Sequence, residues 1–343
     1  MSSILFLAHT EADALLSKHA LEALAAAQSL RSSLSDSALL IGIIGADTTK
    51  AADQIATAGA ARILAVSGPE FGQSRYSTDI LAVEAVCKAA AATYVVAPAT
   101  SRWNRVMAGA AQRLGGRIDS HATAISVNGG APAVNRWFYR QRMEGVVTRT
   151  KLPWFILLEA GCVPAYSGAP GSATVEPLGI APAASNLRTS VSGIRAPAAD
   201  EQTIRPDAKL LFVAGAGWTK KQADGQTHAP EAEQLILGFL RKSKASLGST
   251  KSLVDLSGEG QAVLKFMTHL NQVGQTGSTP RHPKGLATCC HGEEPHTVGW
   301  RFINERRAIN LNPGCSWAQG KADVLYVADS FAVMRKVNEL LTT

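Results

Sequence analysis

Short apolar runs and helix-period stretches alternate along the first third of the chain. Ser3–Ala8 (SILFLA) is an unbroken apolar run of strand length. His9–Leu30 follows, with Leu15, Leu16, His19, Leu24 and Ala27 near helical spacing. Ala38–Ala46 (ALLIGIIGA), Ala61–Ser67 (ARILAVS) and Thr93–Ala99 (TYVVAPA) read as further strands. Thr49–Gly59, Thr78–Ala92 and Ser101–Gly116 read as the helices between them, two of them closed by glycine. Strands alternating with helices in this way predict a parallel sheet covered on both faces.

After Gly116 the rhythm changes. TAISV, PAVNRWFYR, GVVTRT and PWFILLE are shorter β-type runs separated by Gly and Pro, suited to extending the sheet with antiparallel edge strands. Pro164–Pro206 is rich in Ala, Pro, Gly and Ser and has neither period, which predicts a linker. A second strand–helix unit follows. Lys209–Trp218 (KLLFVAGAGW) runs from a strand into a Gly-rich turn, and Ala229–Ala245 is an amphipathic helix. SLVDLSG, GLATC, RAINLN and DVLYVA read as strands, and Gly260–Gln272 and Ser330–Leu341 as helices. The expected fold class is α/β with two domains: a mostly parallel sheet over residues 1–163, a linker over 164–206, and a doubly wound domain over 207–343 ending in a helix.

Composition narrows the classes. The chain has 343 residues, 46% apolar and 18% charged, enough to build large cores without staples. Its net charge of +7 is spread rather than blocked, so it permits an acidic partner without pointing to nucleic acid. Cys87, Cys162, Cys289, Cys290 and Cys315 form no regular framework, which suits a reducing compartment. MSSILFLAHTEAD has no basic region leading into an apolar run, so no signal peptide is expected. The most apolar region, Ile80–Ala97, is broken by Glu84 and Lys88, so no membrane span is expected and a cytoplasmic location is.

Few stretches carry chemistry. Gly215 and Gly217 in VAGAGW stand at a strand end, where glycine lets backbone approach a phosphate, but Lys220 occupies the third glycine position of a dinucleotide fingerprint. A nucleotide site and an ordinary tight turn both fit. Val273–Thr279 (VGQTGST) pairs glycines with hydroxyls but lacks the Gly-Lys-Ser/Thr of a phosphate-binding P-loop. Cys289, Cys290, His291 and His296 are metal-capable, though adjacent cysteines seldom reach one tetrahedral metal. Arg136, Arg140 and Arg142 interleave with Trp137, Phe138 and Tyr139, a pattern that stacks bases or, more simply, a strand with snorkelling side chains. Asp13, Glu22, Asp79 and Glu84 read as solvated helix positions.

Taken together, several of these stretches resemble the α subunit of an electron transfer flavoprotein. Ser3–Leu30 resembles the opening strand and helix of that family. YVVAPATSRWNRVMAGAAQRLGGRIDSHATAI is similar to its "APAT…G…R.AA.L" segment, with Asp119-Ser120 in place of an "SD" turn. NRWFYRQR resembles its "RP.YAGN" strand, keeping Arg136 and Tyr139. VGQTG matches the family's loop letter for letter, and AINLNP and ADVLYVADSFAVMRKVNELL resemble its closing segments. The resemblance spans nearly the whole chain.

It implies a heterodimer with a β subunit, one FAD held mostly by the C-terminal domain, and electrons passed from a donor dehydrogenase to a quinone-linked acceptor. The protein is then an electron carrier with no substrate turnover of its own. Position by position, Gln275, Thr276 and Gly277 line the isoalloxazine, with the Thr276 hydroxyl at the N5/O4 edge. Thr250 and Lys251 take the Ser-Arg positions of "SRAAVD", where a cation stabilises negative charge on the reduced ring. His296 approaches the pyrimidine edge of the ring, His291 and Gly292 meet the pyrophosphate, and Asn310 and Asp323 stand at the adenosine end. The departures are Gly217 for an Arg in "SGGRG", Lys251 for Arg, and CCHGEEP for "GISGAIQ", which adds two acids beside a pyrophosphate. They suggest a divergent branch serving a particular dehydrogenase. The other readings are an NAD-linked Rossmann oxidoreductase built on VAGAGW and a subunit that has lost its cofactor.

Overall fold

The computed structural model describes residues 2–139, 143–193, 204–205, 208–255, 264–274, 280, 282–288, 303–314 and 322–341. The chain forms two units, Met1–Ile194 and Arg195–Thr343, each built on its own sheet, as an α/β protein of two domains.

The first unit contains β1 (Ser2–His9), α1 (Lys18–Ser33), β2 (Ser37–Gly45), α2 (Thr49–Gln54), β3 (Arg62–Ser67), α3 (Tyr76–Ala89), β4 (Tyr94–Pro98), α4 (Ser101–Arg113), β5 (Arg117–Asn128), β6 (Ala131–Phe138), β7 (Met143–Val147), β8 (Trp154–Leu158) and β9 (Glu176–Pro177). The sheet order is β7-β6-β5-β8-β4-β1-β2-β3-β9. Ile4 to Ala8 are all fully buried, because a parallel strand covered by helices on both faces has no polar side to show. α1 begins nine residues later than the apolar period suggests. Ser17 caps it by accepting from Ala20 N (3.2 Å), and Asp13 draws Leu15 N (3.0 Å) into a turn that competes with helix.

The antiparallel edge lies where expected: β5 and β6 turn at Gly129-Gly130, both at positive φ, and β7 pairs with β6. β8 does not join it. It returns to lie parallel between β4 and β5, which explains why all five of its residues are buried. Two acids expected in solvent are inside. Asp79 is fully buried against Arg102, and Glu22 accepts from Gly161 N at 2.7 Å.

The first part of the expected linker is a strap on this unit. Tyr166 N donates to Leu21 O, Gly171 N to Asp53 O and Leu178 N to Ala65 O, while β9 pairs with β3. Arg62 grips Glu176 through two bonds of 2.9 and 2.7 Å, and Arg75 Nε donates to Thr189 O (2.6 Å). Many of these contacts are made by backbone groups, which is why they left no side-chain period to read.

The second unit contains β10 (Leu210–Ala214), α5 (Ala229–Ser243), β11 (Ser246–Ser249), α6 (Lys251–Asp255), β12 (Lys284–Thr288), β13 (Glu305–Asn310), β14 (Val324–Val327) and α7 (Ser330–Leu340). Its sheet is wholly parallel, in the order β11-β10-β12-β13-β14. Here the expectations need two corrections. SLVDLSG is not a strand: Lys251–Asp255 is a short helix, and the strand is the preceding Ser246–Ser249. Of the expected helix over 260–272, the described part is a turn followed by a 3-10 turn at His269–Asn271, capped by Thr268. β11 had no apolar signal because Gly248 lies under Val273, where a Cβ would come within 2.6 Å of Val273 Cγ2.

Candidate functional site

In an open parallel sheet, ligands bind outside the carboxyl ends of the strands, at the point where the strand order reverses. In the second unit the chain steps from β10 out to β11, then returns to the other side for β12, β13 and β14. The register aligns Ser249, Ala214, Thr288 and Ile309 in one row, with Asn310 opposite Val327 just beyond it. Four strand spacings make that edge about 19 Å long.

Gly215 N donates to Thr288 O (2.8 Å), and Thr250 N to Ala214 O (2.9 Å), so both residues leave the ends of adjacent strands. Gly215 and Gly217 belong to a tight turn with a 3-10 helix at Ala216–Thr219, and α5 begins only at Ala229. A dinucleotide fingerprint opens directly into a helix, so this turn departs from it. Trp218 is fully buried, and its Nε1 donates to Thr288 Oγ1 (2.8 Å), which in turn donates to Val213 O (3.1 Å). This bolt between β10 and β12 was not anticipated; its signal was the position of Thr288 as the last residue of a parallel strand.

Lys251 opens α6 and pairs with Asp255 one turn on, and the other oxygen of Asp255 bonds His269 Nε2 (3.0 Å). The hydrogen bond from Lys251, then that from His269, holds the Asp255 carboxyl below its ordinary range. Thr250 is buried, and its Oγ1 accepts from Leu253 N at 3.4 Å. Gln275, Thr276 and Gly277 lie outside the described residues, as do His291, Gly292 and His296. The entry to the Gln275–Gly277 loop is described. Gln272 bridges to Ser249, Val273 N donates to Ser249 O (3.0 Å), and Gly274 has φ 130°, a conformation that favours glycine. The loop therefore departs from the carboxyl end of β11, beside Thr250 and Lys251.

Asn310 is buried at the end of β13 and accepts from Asn312 N at 3.0 Å. A cavity of about 420 Å³ opens next to it, lined among others by Asp224, His228, Glu231, Leu311, Phe331 and Arg335. Within it His228 bonds Asp224 at 2.7 Å and Arg335 pairs with Glu231 at 2.6 Å. Asp323 is not brought to this edge. It precedes β14 and grips Arg306 (2.7 Å) near the amino end of β13, roughly 10 Å back along the strands. That hydrogen bond is also the main reason its carboxyl titrates below the usual range.

Ser249 is the other residue that sequence reasoning passed over. It is fully buried at the end of β11, and its Oγ has no hydrogen-bond partner. With the glycine turn and the Gly274 loop, this orphaned hydroxyl suits an edge that receives a polar, extended ligand such as FAD. Among the described residues no group of three or more His, Cys, Asp or Glu is placed to hold a metal.

In the first unit, the groups singled out by sequence are occupied with each other. Asp119 accepts from Arg136 Nη1, Arg149 Nε and Nη2 (2.8 Å each) and Trp154 Nε1 (2.9 Å). Burial would raise its pKa, but the two guanidiniums outweigh it and hold the carboxyl low. Arg136 also lies over the Phe138 ring, 4.4 Å from its centroid, while Arg140 and Arg142 lie outside the described residues. Tyr139 is 75% exposed, at φ 50°.

This unit carries the decisive likeness: residues 4–184, more than half of the chain, match the family described as the electron transfer flavoprotein domain. The chain belongs to that family. Members of the electron transfer flavoprotein family are electron carriers rather than conventional enzymes, and generally bind flavin. No curated protein matches the chain at a significant level. Among the described residues no helix is long and apolar enough to cross a membrane.

Proposed function

We propose that the chain is the α subunit of a heterodimeric electron transfer flavoprotein that carries FAD on its second unit. It receives electrons from a specific dehydrogenase and delivers them to a quinone-linked or other redox acceptor, in the cytoplasm. The observation that carries this reading is the carboxyl edge of the second sheet. The Gly215–Gly217 turn, Thr250, Lys251, the Gly274 loop entry and Asn310 are gathered there, on a sheet whose strand order favours ligand binding at that edge.

FAD, when bound, supplies the reversible gain and loss of electrons. The protein's residues position and tune it. The glycines allow close backbone approach, Lys251 brings positive charge tempered by Asp255, and Thr250 fixes the start of α6. Gln275, Thr276, Gly277, His291, Gly292 and His296 complete the site by the family resemblance, and the β subunit covers it.

The test is the absorption spectrum of the protein purified with its partner chain, before and after addition of a reductant. A flavin spectrum that bleaches reversibly, with stoichiometric FAD released on denaturation, supports the reading. A preparation that contains no flavin and takes up none overturns it.

A further inference from the structure

The hydroxyl of Ser249 has no use in the chain by itself. The residue is fully buried, and its Oγ has neither a donor nor an acceptor. Leaving a buried hydroxyl unsatisfied is costly, and native proteins carry few such groups. Packing does not require it, since an alanine would fill nearly the same space.

Its direction follows from the strand. Side chains alternate across a sheet. Gly248 faces Val273, Leu211 and Val213 on one side. Leu247 faces the other, in the cluster with Phe212, Ala216, Trp218 and Leu253. Ser249 shares the face of Leu247. That face carries the Gly215–Thr219 turn and α6, which pack on each other. Ser249 is paired with Ala214 across the ladder, its own carbonyl anchors Val273 N at 3.0 Å, and Thr250 and Lys251 follow it. The hydroxyl thus stands on the face of the glycine turn and the start of α6, while the entry to the Gly274 loop runs along the backbone edge of Ser249.

We propose that Ser249 is a ligand-binding residue whose hydroxyl hydrogen-bonds the flavin half of bound FAD. The inference rests on the FAD reading above and adds a contact that the family resemblance does not assign. A hydroxyl both donates and accepts, so it serves the ring's carbonyl and N–H edge or a ribityl hydroxyl equally. The penalty borne by the FAD-free chain is relieved on binding, so the residue trades stability of the empty protein for affinity.

The experiment is Ser249→Ala in the full chain purified with its partner, stripped of flavin and titrated with FAD, with melting temperatures taken in both states. The expected result has two opposite signs. The FAD-free variant melts about 3 °C higher than the wild type, while its FAD dissociation constant rises about tenfold. An unchanged dissociation constant overturns the proposal, whatever happens to the melting temperature. A variant that binds FAD weakly and also melts lower when empty overturns it too, because the hydroxyl then has a partner in the chain or in a buried water. A wild type that takes up no FAD at all sinks the function itself, a result distinguishable from failure at Ser249 alone.

Discussion

The two units bury different kinds of polar group. Among the described residues, the first unit buries four charged side chains, Glu22, Asp79, Arg102 and Asp119. Each is paired, and Asp79 and Asp119 are gripped by guanidinium forks. Among the described residues, the second unit buries no Asp, Glu, Lys or Arg. Its buried polar residues are hydroxyls, amides and His282, and many of them (Ser249, Thr250, Gln272, Thr288, Asn310) stand at the carboxyl ends of strands. Its ion pairs, such as Lys251–Asp255 and Arg306–Asp323, are at the surface. Buried charge is costly unless paired, so it locks one geometry. Neutral hydroxyls and amides cost less and can switch partners, which suits an edge that must exist with and without a ligand. On the function proposed above, one fold class thus serves in one case as a frame and in the other as a receptor.

The comparison breaks most readily at Asp119. Asp119→Ala leaves Arg136, Arg149 and the indole N–H of Trp154 without their acceptor. The expected loss is about 3–5 kcal/mol of first-unit stability, read by urea denaturation. A loss under about 1 kcal/mol, the value of an exposed pair, would remove the frame side of the contrast.

A second test uses pH. His9 ends β1 at the first unit's own point of strand reversal, with Nε2 on Thr100 Oγ1 (3.1 Å) and its ring edge-on to Trp103 at 5.2 Å. Burial first, and the positive Arg102 second, push its pKa down to about 4. Glu11 at 3.9 Å and His19 are the other titratable groups facing it. A histidine depressed in the fold favours the neutral form. The stability it permits is therefore whole above its unfolded pKa of about 6.5 and is lost as pH falls towards 4. The expected loss over that window is about 3 kcal/mol. His9→Gln should flatten the slope, measured as melting temperature against pH. An equally steep slope in the variant would assign the acid sensitivity elsewhere.

A third test sets two strand glycines against each other. A Cβ on Gly42 of β2 would meet Val86 Cγ1 at 2.5 Å and Leu7 Cδ1 at 2.7 Å; one on Gly248 of β11 would meet Val273 Cγ2 at 2.6 Å. Each change to alanine should cost about 1–3 kcal/mol by overpacking. Only Gly248→Ala displaces Val273, which leads into the loop that the proposed function assigns to flavin. FAD titration should therefore separate the pair, with Gly42→Ala close to wild type. Equal weakening by both would mean that flavin affinity follows global stability and not this edge.

The frame was the more legible half, and the reason is physical. β1 to β4 are unbroken apolar runs because both faces of a parallel sheet are covered, and Thr100 marks the start of α4 by its cap. The buried acids were misread because a helix period shows where a residue points, not whether a guanidinium from another helix waits there: Arg102 reaches Asp79 across 23 positions. Gly215, Gly217, Thr250, Lys251 and Asn310, named from motif resemblance, lie at or just beyond the ends of strands in the second sheet. Ser249 was not legible, because its strand is four residues of Ser, Leu and Gly whose pairing is decided by neighbours elsewhere in the chain.

The smallest expected effect is the one that tunes rather than builds. Lys251 and Asp255 are 47% and 34% exposed, so water and salt screen their fields. Lys251→Ala should lower the flavin reduction potential, since a nearby cation favours the more negative reduced form. Asp255→Asn should raise it, by freeing Lys251 from its counter-charge while leaving the chain's shape unchanged. Both shifts should shrink as salt is added, whereas a change caused by altered packing would not. Redox titration of the two variants and of their combination separates the cases. Opposite signs, with the double variant close to Lys251→Ala, make the pair a single adjustable charge beside the flavin. Shifts of the same sign, or none for Lys251→Ala, would take Lys251 out of the flavin's surroundings and leave the edge to its hydroxyls, amides and glycines.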